Sequence, residues 1–331
     1  MKRILCVALL SLFLTGCAGP SPTLARTETS TLTATLPPTS TSSPTASSTP
    51  SPTATATPTF TASPTPEPVI LIGAGDIGVC GSDADEQTAA IVDRFPQAAI
   101  FTAGDNAYGS GTMAEFRSCF DPSWGRHKDR IRPSPGNHDY VEPGAAAYYE
   151  YFGAAAGEPG KGYYSYDLGD WHIVALNSLC GEVGGCGISS PQEQWLRADL
   201  AASNKRCTFA YMHYPRWSSG LAGGRGTVSG LFRALVDYGV EVLVSGDDHD
   251  YERFAPQNGD GQADPNGVRQ FVAGTGGALQ RVFSTPQPNS EVRNTATFGV
   301  LKFTLLPDRY SWEFIPVDGQ TFSDTGEENC H

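Results

Sequence analysis

The strongest constraint on the fold is a pattern that recurs along the chain, in which a short apolar run ends in Asp, Asn or His, often after Gly. The five runs are VILIGAGD (69–76), AAIFTAGDN (98–106), HIVALNS (172–178), TFAYMH (208–213) and VEVLVSGDDH (240–249). Each has the length and β-branched content of a buried strand. Because α/β sheets place their binding sites at the carboxyl ends of strands, the pattern predicts a polar site at one sheet edge.

Helical patterns separate several of these runs. Residues 85–95 place apolar side chains near one face, residues 190–203 begin with a Ser-Pro cap, and residues 227–239 end on glycine, a usual helix stop. Near the C-terminus, residues 298–317 predict a β-hairpin that turns at 307–309. Strands alternating with helices indicate the α/β class, and the strand count fits two packed β-sheets flanked by helices.

The first 17 residues have the features of a secretory signal peptide. Two positive residues precede an apolar run, 4–14, that is too short to span a bilayer. The segment ends in LTGC, which resembles the lipobox of bacterial lipoproteins and implies a lipidated Cys17. The alternative is an ordinary signal peptide cleaved near Ala18 or Gly19. We therefore expect an extracellular protein, either a cell-surface lipoprotein whose only membrane contact is the lipidated Cys17, or a secreted one.

Residues 18–68 consist almost wholly of Pro, Thr, Ser and Ala. Large apolar side chains are scarce, so this segment does not bury enough surface to offset the entropy lost on ordering. We predict a disordered linker, either a stalk suited to O-glycosylation or a tether with no other role. No second linker interrupts residues 69–331, which we interpret as one folded domain.

The net charge of the chain limits the classes of partner that it can bind. The formal net charge is −13, or −15 without the two positive residues of the signal peptide, and no basic patch stands out. This balance argues against nucleic acid as a binding partner. It also suits a domain that holds cations.

Six cysteines lie in the predicted domain. An even number in an exported domain indicates disulfides, and six cysteines allow 15 connectivities. Zinc ligation is the competing interpretation, but no C-x-x-C pair occurs. Two of the six flank a glycine-rich loop, CGEVGGC (180–186), and can pair locally. The six are Cys80, Cys119, Cys180, Cys186, Cys207 and Cys330.

Residues suited to metal binding and proton transfer collect at the predicted strand ends. Singly they mean little, since Gly-Asp is a common turn and a lone histidine is more often a satisfied core residue. Their repeated occurrence, in order, is hard to explain by chance. Asp and Tyr oxygens are hard ligands that suit iron-like ions. The candidates are Asp76, Asp105, Tyr108, Asn137, His138, Asp139, His213, Asp247 and His249.

The motifs around these residues resemble those of the calcineurin-like metallophosphoesterases, and within them the purple acid phosphatases. The family's ordered motifs are GD, GDxxY, GNH[ED], a single His after a strand, and GHxH. The corresponding segments here are GD (75–76), GDNAY (104–108), GNHD (136–139), His213 and GDDH (246–249). The resemblance covers about 69–320 and implies the family's αββα sandwich. It also implies that Tyr108 supplies the ligand that many relatives take from Asp-x-His.

The resemblance implies a dinuclear metal centre that hydrolyses a small phosphorylated substrate. Two cations about 3.5–4 Å apart stabilise both the attacking and the leaving oxygens of a phosphoryl transfer. It implies iron at site one and Zn, Mn, Mg or Fe at site two. The implied ligands are Asp76, Asp105, Tyr108 and His249 at site one, and Asp105, Asn137, His213 and Asp247 at site two, with Asp105 bridging.

The resemblance also assigns residues that do not bind metal. His138 would contact the phosphate and help to protonate the leaving group, and Asp139 would orient His138. Asp248 fills a variable position, and alternation along an extended strand predicts that its side chain points away from the metals. Residues 250–253 are interpreted as structural rather than substrate-binding. Elsewhere, we expect His127 to lie at the surface and His172 to be structural.

Asp247 is the one departure from the family pattern, which has histidine at this position. It either binds metal two as an anionic oxygen ligand or is too short to reach it. We expect a phosphoesterase that hydrolyses phosphomonoesters. The alternatives are a phosphodiesterase of the same fold and a non-catalytic envelope binding module on a degenerate phosphoesterase scaffold, for which Asp247 is the only support.

Overall fold

The computed structural model describes residues 67–331, so the predicted signal peptide, the predicted lipidation site Cys17 and nearly all of the predicted linker lie outside the described residues. Residues 67–331 form fifteen strands. These are β1 (Val69–Ala74), β2 (Gly78–Val79), β3 (Ala99–Ala103), β4 (Ala107–Tyr108), β5 (Ile131–Ser134), β6 (Tyr164–Leu168), β7 (Trp171–Ala175), β8 (Cys207–Tyr211), β9 (Val242–Ser245), β10 (Tyr251–Phe254), β11 (Arg269–Ala273), β12 (Ser290–Asn294), β13 (Gly299–Leu306), β14 (Arg309–Pro316) and β15 (Thr325–Asn329).

Helices occupy the three predicted segments and some loops. Ser190 caps one of them as expected, because its hydroxyl accepts a hydrogen bond from the Glu193 N–H and proline follows at the first helical position. The α-helices are α1 (Ala84–Asp93), α2 (Met113–Glu115), α3 (Ala146–Phe152), α4 (Pro191–Ala202) and α5 (Ser229–Asp237). Shorter 3₁₀ or π turns cover Phe116–Phe120, Trp124–Arg130, Pro143–Ala145, Gly153–Ala156 and Gly226–Val228.

The strands form two large sheets. The first has the order β15-β14-β13-β1-β3-β5, and the second has the order β12-β10-β11-β9-β8-β7-β6. Strands β1, β3 and β5 are parallel to one another, as are β7, β8, β9 and β11. In each parallel group the carboxyl ends share one sheet edge, which places the chain segments after β1, β3, β5, β8 and β9 at two facing edges.

Three apolar layers hold the sheets and helices together. Side chains of both sheets mix in the central layer, where the rings of Phe209 and Phe303 lie 4.8 Å apart. One outer layer packs α1 and α3 on the first sheet, and the other packs α4 and α5 on the second. Each fully buried large side chain stabilises the fold by about 1.5–3 kcal/mol. The order helix, sheet, sheet, helix confirms the predicted fold class.

All six cysteines of residues 67–331 are paired. The bridges are Cys80–Cys119, Cys180–Cys186 and Cys207–Cys330. The local pairing across the glycine-rich loop agrees with the expectation, and zinc ligation by these cysteines is excluded because every sulfur is in a bridge. Within residues 67–331, no helix is both long enough and apolar enough to cross a membrane.

Two histidines outside the strand ends are buried. His172 lies between Asp167 and Asp199, 3.1 and 2.8 Å from their carboxylates, which fits the structural role expected for it. His127 is only 8% exposed, so its predicted surface position is wrong. Its ring packs in the turn Trp124–Arg130 within reach of Asp93 and Arg130, contacts that the local sequence does not reveal.

Candidate metal centre

Three acidic residues leave their strands in the same strained conformation. Asp76 follows β1, Asp105 follows β3 and Asp247 follows β9, and their φ angles are +62°, +51° and +68°. Left-handed backbone is uncommon for residues other than glycine, and such strain clusters at functional sites. The three carboxylates are buried and lie between the facing edges of the two sheets.

Close approach of the segments explains the glycines that precede these acids. A Cβ on Gly104 would lie 2.5 Å from the His213 ring, and one on Gly246 would lie 2.5 Å from the Asp76 carboxylate. Any larger residue at either position would therefore separate the two sheet edges. The Gly-Asp motif serves packing as well as chemistry.

Four donor atoms converge at the first group. The Tyr108 hydroxyl lies 2.7 Å from Asp76 Oδ1, 2.9 Å from Asp105 Oδ2 and 3.2 Å from His249 Nε2. His249 Nε2 is also 3.3 Å from Asp76 Oδ1. The structure thus brings together all four residues predicted for site one.

A second group forms around His213. Its Nε2 lies 2.9 Å from Asn137 Oδ1, 3.4 Å from Asp105 Oδ1 and 3.8 Å from Asp247 Oδ1. These are the four residues predicted for site two. Asp105 contributes Oδ2 to the first group and Oδ1 to the second, so its carboxylate lies between the two groups.

Backbone carbonyls orient the imidazoles. Nδ1 of His213 lies 2.9 Å from the carbonyl of Ala103, and Nδ1 of His249 lies 2.9 Å from that of Leu279. An Nδ1–H that donates to a carbonyl leaves Nε2 free to bind a cation, the arrangement common among metal-binding histidines. Both Nε2 atoms face the donor groups.

The donor set fits metal ions. Two donors bound at right angles to one ion, each at about 2.1 Å, lie about 3.0 Å apart, close to most of the separations found here. Asp76, Asp105 and His213 are all buried, with donor atoms within 4.8 Å of one another. Carboxylates packed this closely are costly to bury without a positive partner.

The electrostatics of the site point the same way. Burial lowers the pKa of His213, but the carboxylates of Asp105, Asp76 and Asp247 outweigh it and raise that pKa to about 9. Burial, together with Asp76 and Asp105, raises the pKa of Tyr108 well above its usual value. The cluster of carboxylates therefore favours bound positive charge.

His138 lies at the open side of the groups. Its ring packs on Tyr108 at 4.4 Å between centroids, and its Nδ1 lies 2.6 Å from the Gly109 carbonyl. Its Nε2 lies 3.9 Å from Asp105 Oδ2, and the side chain is 30% exposed. This position leaves Nε2 available to a molecule that approaches from solvent.

The expectation that Asp139 orients His138 is wrong. The Asp139 carboxylate accepts hydrogen bonds from the backbone N–H and side-chain amide of Asn106 and from the Gly136 N–H. The His138 ring instead contacts the Gly109 carbonyl through Nδ1. Asp139 is fully buried beneath the loop. It therefore ties the segments after β3 and β5 together, a contact between distant segments that the motif alone does not reveal.

Asp248 points away from the donor groups, as expected, but for a different reason. Its carboxylate accepts hydrogen bonds from Ser218 and from the backbone of Ala222 and Gly223. Strand β9 ends at Ser245, so strand alternation does not apply, and the left-handed turn at Asp247 sets the direction instead.

Residues 250–253 have no part in the donor groups. Tyr251 and Arg253 bind Asp324, and Glu252 binds Ser219, which supports their structural interpretation. Within residues 67–331, the Asp250 carboxylate is buried without a hydrogen-bond partner. Burial, with Asp248, Glu252 and Asp76, raises the pKa of the Asp250 carboxyl to about 9.

The sequence motifs do not indicate one residue of the site, Arg225. Arg225 donates from Nη2 and Nε to Asp247 Oδ2, at 3.0 and 3.3 Å. An aspartate in a buried position of this kind calls for a cation, and only three arginines and no lysine lie between His213 and Asp247. Charge alone therefore limits the partner of Asp247 to these three arginines but does not distinguish among them.

The family model described as Calcineurin-like phosphoesterase matches residues 71–251. The chain is 32% identical over 163 residues to Purple acid phosphatase 21 of Arabidopsis thaliana, which covers 45% of this chain and 36% of that protein. It is 25% identical over 251 residues to Probable inactive purple acid phosphatase 1 of the same organism. That match covers 63% of this chain and 39% of that protein. The chain thus spans between a third and two fifths of these relatives.

Among solved structures, the fold resembles purple acid phosphatase PPD1 from yellow lupin (Lupinus luteus) seeds. The TM-score is 0.66 at 18% identity, and the match covers 78% of this chain and 54% of that one. At this identity the likeness concerns the fold.

Proposed function

Because the chain belongs to the calcineurin-like phosphoesterase family, we propose that this metal-dependent phosphoesterase hydrolyses phosphomonoesters with a pair of metal ions at the facing sheet edges. The observation that carries the proposal is the Asp105 carboxylate, whose two oxygens belong to two separate donor groups. A single shared carboxylate between two groups of N and O donors suits a dinuclear centre.

Each ion would have four protein ligands. The phenolate oxygen of Tyr108 is a hard anionic donor, which suits a trivalent ion such as ferric iron at the first site. The second site offers neutral and anionic donors that suit Zn, Mn, Mg or Fe. The ligands would be Asp76, Asp105, Tyr108 and His249 for the first ion, and Asp105, Asn137, His213 and Asp247 for the second.

Residues that do not bind metal would transfer a proton and hold the site in place. When bound, the two ions supply Lewis acidity that offsets the negative charge developing on the phosphoryl oxygens. His138 lies at the open side and its Nε2 makes no hydrogen bond within residues 67–331, so it suits proton transfer to the leaving oxygen. Asp139 would act only by holding the loop that carries Asn137 and His138.

The site is to be tested by hydrolysis of p-nitrophenyl phosphate and bis-p-nitrophenyl phosphate, with metal content measured on the same protein. We expect two ions per chain and faster turnover of the monoester. Asp105→Asn should lower both metal content and turnover, whereas the matched change Asp308→Asn, at a half-exposed turn, should affect neither. Faster turnover of the diester would replace the monoester proposal with a phosphodiesterase.

A non-catalytic envelope module is the second candidate. Two observations favour it: the Asp247 carboxylate already pairs with Arg225, and one relative carries the name Probable inactive purple acid phosphatase 1. Two bound ions without hydrolysis of either ester would support this candidate.

We also propose export and surface anchoring through Cys17, with residues 18–68 as a linker to the domain. Three disulfides support an oxidising compartment outside the cytosol. The predicted signal peptide supports the same location.

A further inference from the structure

The two oxygens of the Asp247 carboxylate contact different parts of the site. Its Oδ1 faces the second donor group, 3.8 Å from His213 Nε2, and its Oδ2 takes both contacts from Arg225. Its side chain is only 8% exposed. The two oxygens of a free carboxylate are equivalent. Here they differ, because Arg225 binds only Oδ2.

Arg225 is itself fixed to the segment that carries His213. Its backbone N–H donates to the Pro215 carbonyl at 2.8 Å, and its guanidinium lies 4.9 Å from the centre of the Tyr214 ring. These two contacts anchor the arginine to the segment that carries His213. Its side chain is 38% exposed, so it stands at the rim of the site rather than within it.

We propose that Arg225 is a positioning residue that holds Asp247 Oδ2 and thereby presents Oδ1 as a single-oxygen ligand to the second metal ion. The inference rests on the proposed dinuclear function. Ligating carboxylates are commonly fixed by such outer hydrogen bonds, whose loss typically lowers metal affinity 10–100-fold. The guanidinium also offsets the negative charge of the aspartate.

The sign of the effect makes the proposal testable. An arginine that merely competes with the ion for Asp247 would repel the ion, and its removal would tighten metal binding. An arginine that positions the carboxylate has the opposite effect, because the carboxylate gains rotational freedom without it. Metal affinity, measured without any substrate, separates the two.

The experiment measures Mn²⁺ and Zn²⁺ binding to the full chain by calorimetry. Arg225→Met should weaken the second ion 10–100-fold and leave the first within about twofold. Arg225→Gln keeps one NH₂ donor group, so its affinity for the second ion should fall between those of the wild type and Arg225→Met. The matched control is Arg216→Met on the same loop, because Arg216 stacks on Trp217 and makes no ion pair within residues 67–331.

A double variant tests whether Arg225 acts through Asp247. In an Asp247→Ala background, Arg225→Met should cause no further loss of affinity for the second ion. Three outcomes would overturn the role of Arg225 without affecting the proposed dinuclear function. These are an equal loss of affinity for the second ion in both backgrounds, an unchanged affinity in Arg225→Met, and a tighter affinity in Arg225→Met. A wild-type protein that binds only one ion would overturn the dinuclear function as well. Thermal melting of each variant checks that the fold is intact.

Discussion

Replacing Glu241 with glutamine is expected to stabilise the protein at neutral and alkaline pH. Glu241 is 2% exposed and precedes β9, far from the donor groups in the sheet. Its Oε2 accepts a hydrogen bond from the Thr208 N–H at 2.6 Å, whereas Oε1 has no hydrogen-bond partner within residues 67–331 and lies 4.0 Å from His331 Nδ1. Burial raises the pKa of Glu241 to about 7, against an ordinary 4.5.

The size of the effect follows from this pKa difference. At 1.36 kcal/mol per pH unit, the ionised carboxylate destabilises the folded state by about 3 kcal/mol. Below pH 4.5 both states hold the proton and there is no penalty. Between pH 4.5 and 7 the unfolded chain releases its proton first, so stability falls as pH rises. Above pH 7 the penalty is constant.

Glutamine keeps an oxygen for the Thr208 N–H and carries no charge. Glu241→Gln should therefore raise the melting temperature at pH 8 by roughly 6–12 °C, since about 3 kcal/mol corresponds to that range in a domain of this size. At pH 4.5 the two proteins should melt within a few degrees of each other. Differential scanning calorimetry at the two pH values, with equal added metal, gives the comparison.

The control is Glu327→Gln, the same chemical change at an exposed position of β15. It should leave the melting temperature nearly unchanged at both pH values. Equal stabilisation by Glu241→Gln at pH 4.5 and pH 8 would refute the reasoning, because it would show that the gain does not come from removing a charge. A loss of stability at pH 8 would show that the hydrogen-bond network outweighs the buried charge.

Four further changes test the proposed site and anchoring. Tyr108→Phe should abolish the visible charge-transfer absorption expected of a ferric phenolate, and a colourless, fully active wild type would exclude that pair. His138→Ala should keep metal content and lower turnover about 10²–10⁴-fold, most for poor leaving groups, and an equal loss for all esters would exclude proton donation. Asp247→His should raise zinc occupancy and turnover together in metal analysis and assay, whereas zinc without activity would favour the non-catalytic candidate. Cys17→Ser should release the protein from membranes on fractionation, and unchanged fractionation would exclude lipidation.

Local sequence patterns predict much of the fold. The apolar runs before Asp76, Asp105 and His213 are strands because their side-chain spacing and β-branching suit buried extended backbone. The hairpin of β13 and β14 turns at 307–308, as its proline and aspartate predicted. The sequence does not predict strand β5, because IRPS lacks an apolar run and contains a proline.

The sequence by itself determined which donor residues this protein has and that they follow strands, because both are properties of short segments. Only the tertiary structure decided which partner each side chain takes. Arg225 binds Asp247, Asp139 binds the Asn106 segment, and Cys207 pairs with Cys330 across 123 residues. Each contact joins segments that are separate in the chain, so its formation depends on how the two sheets pack rather than on local spacing.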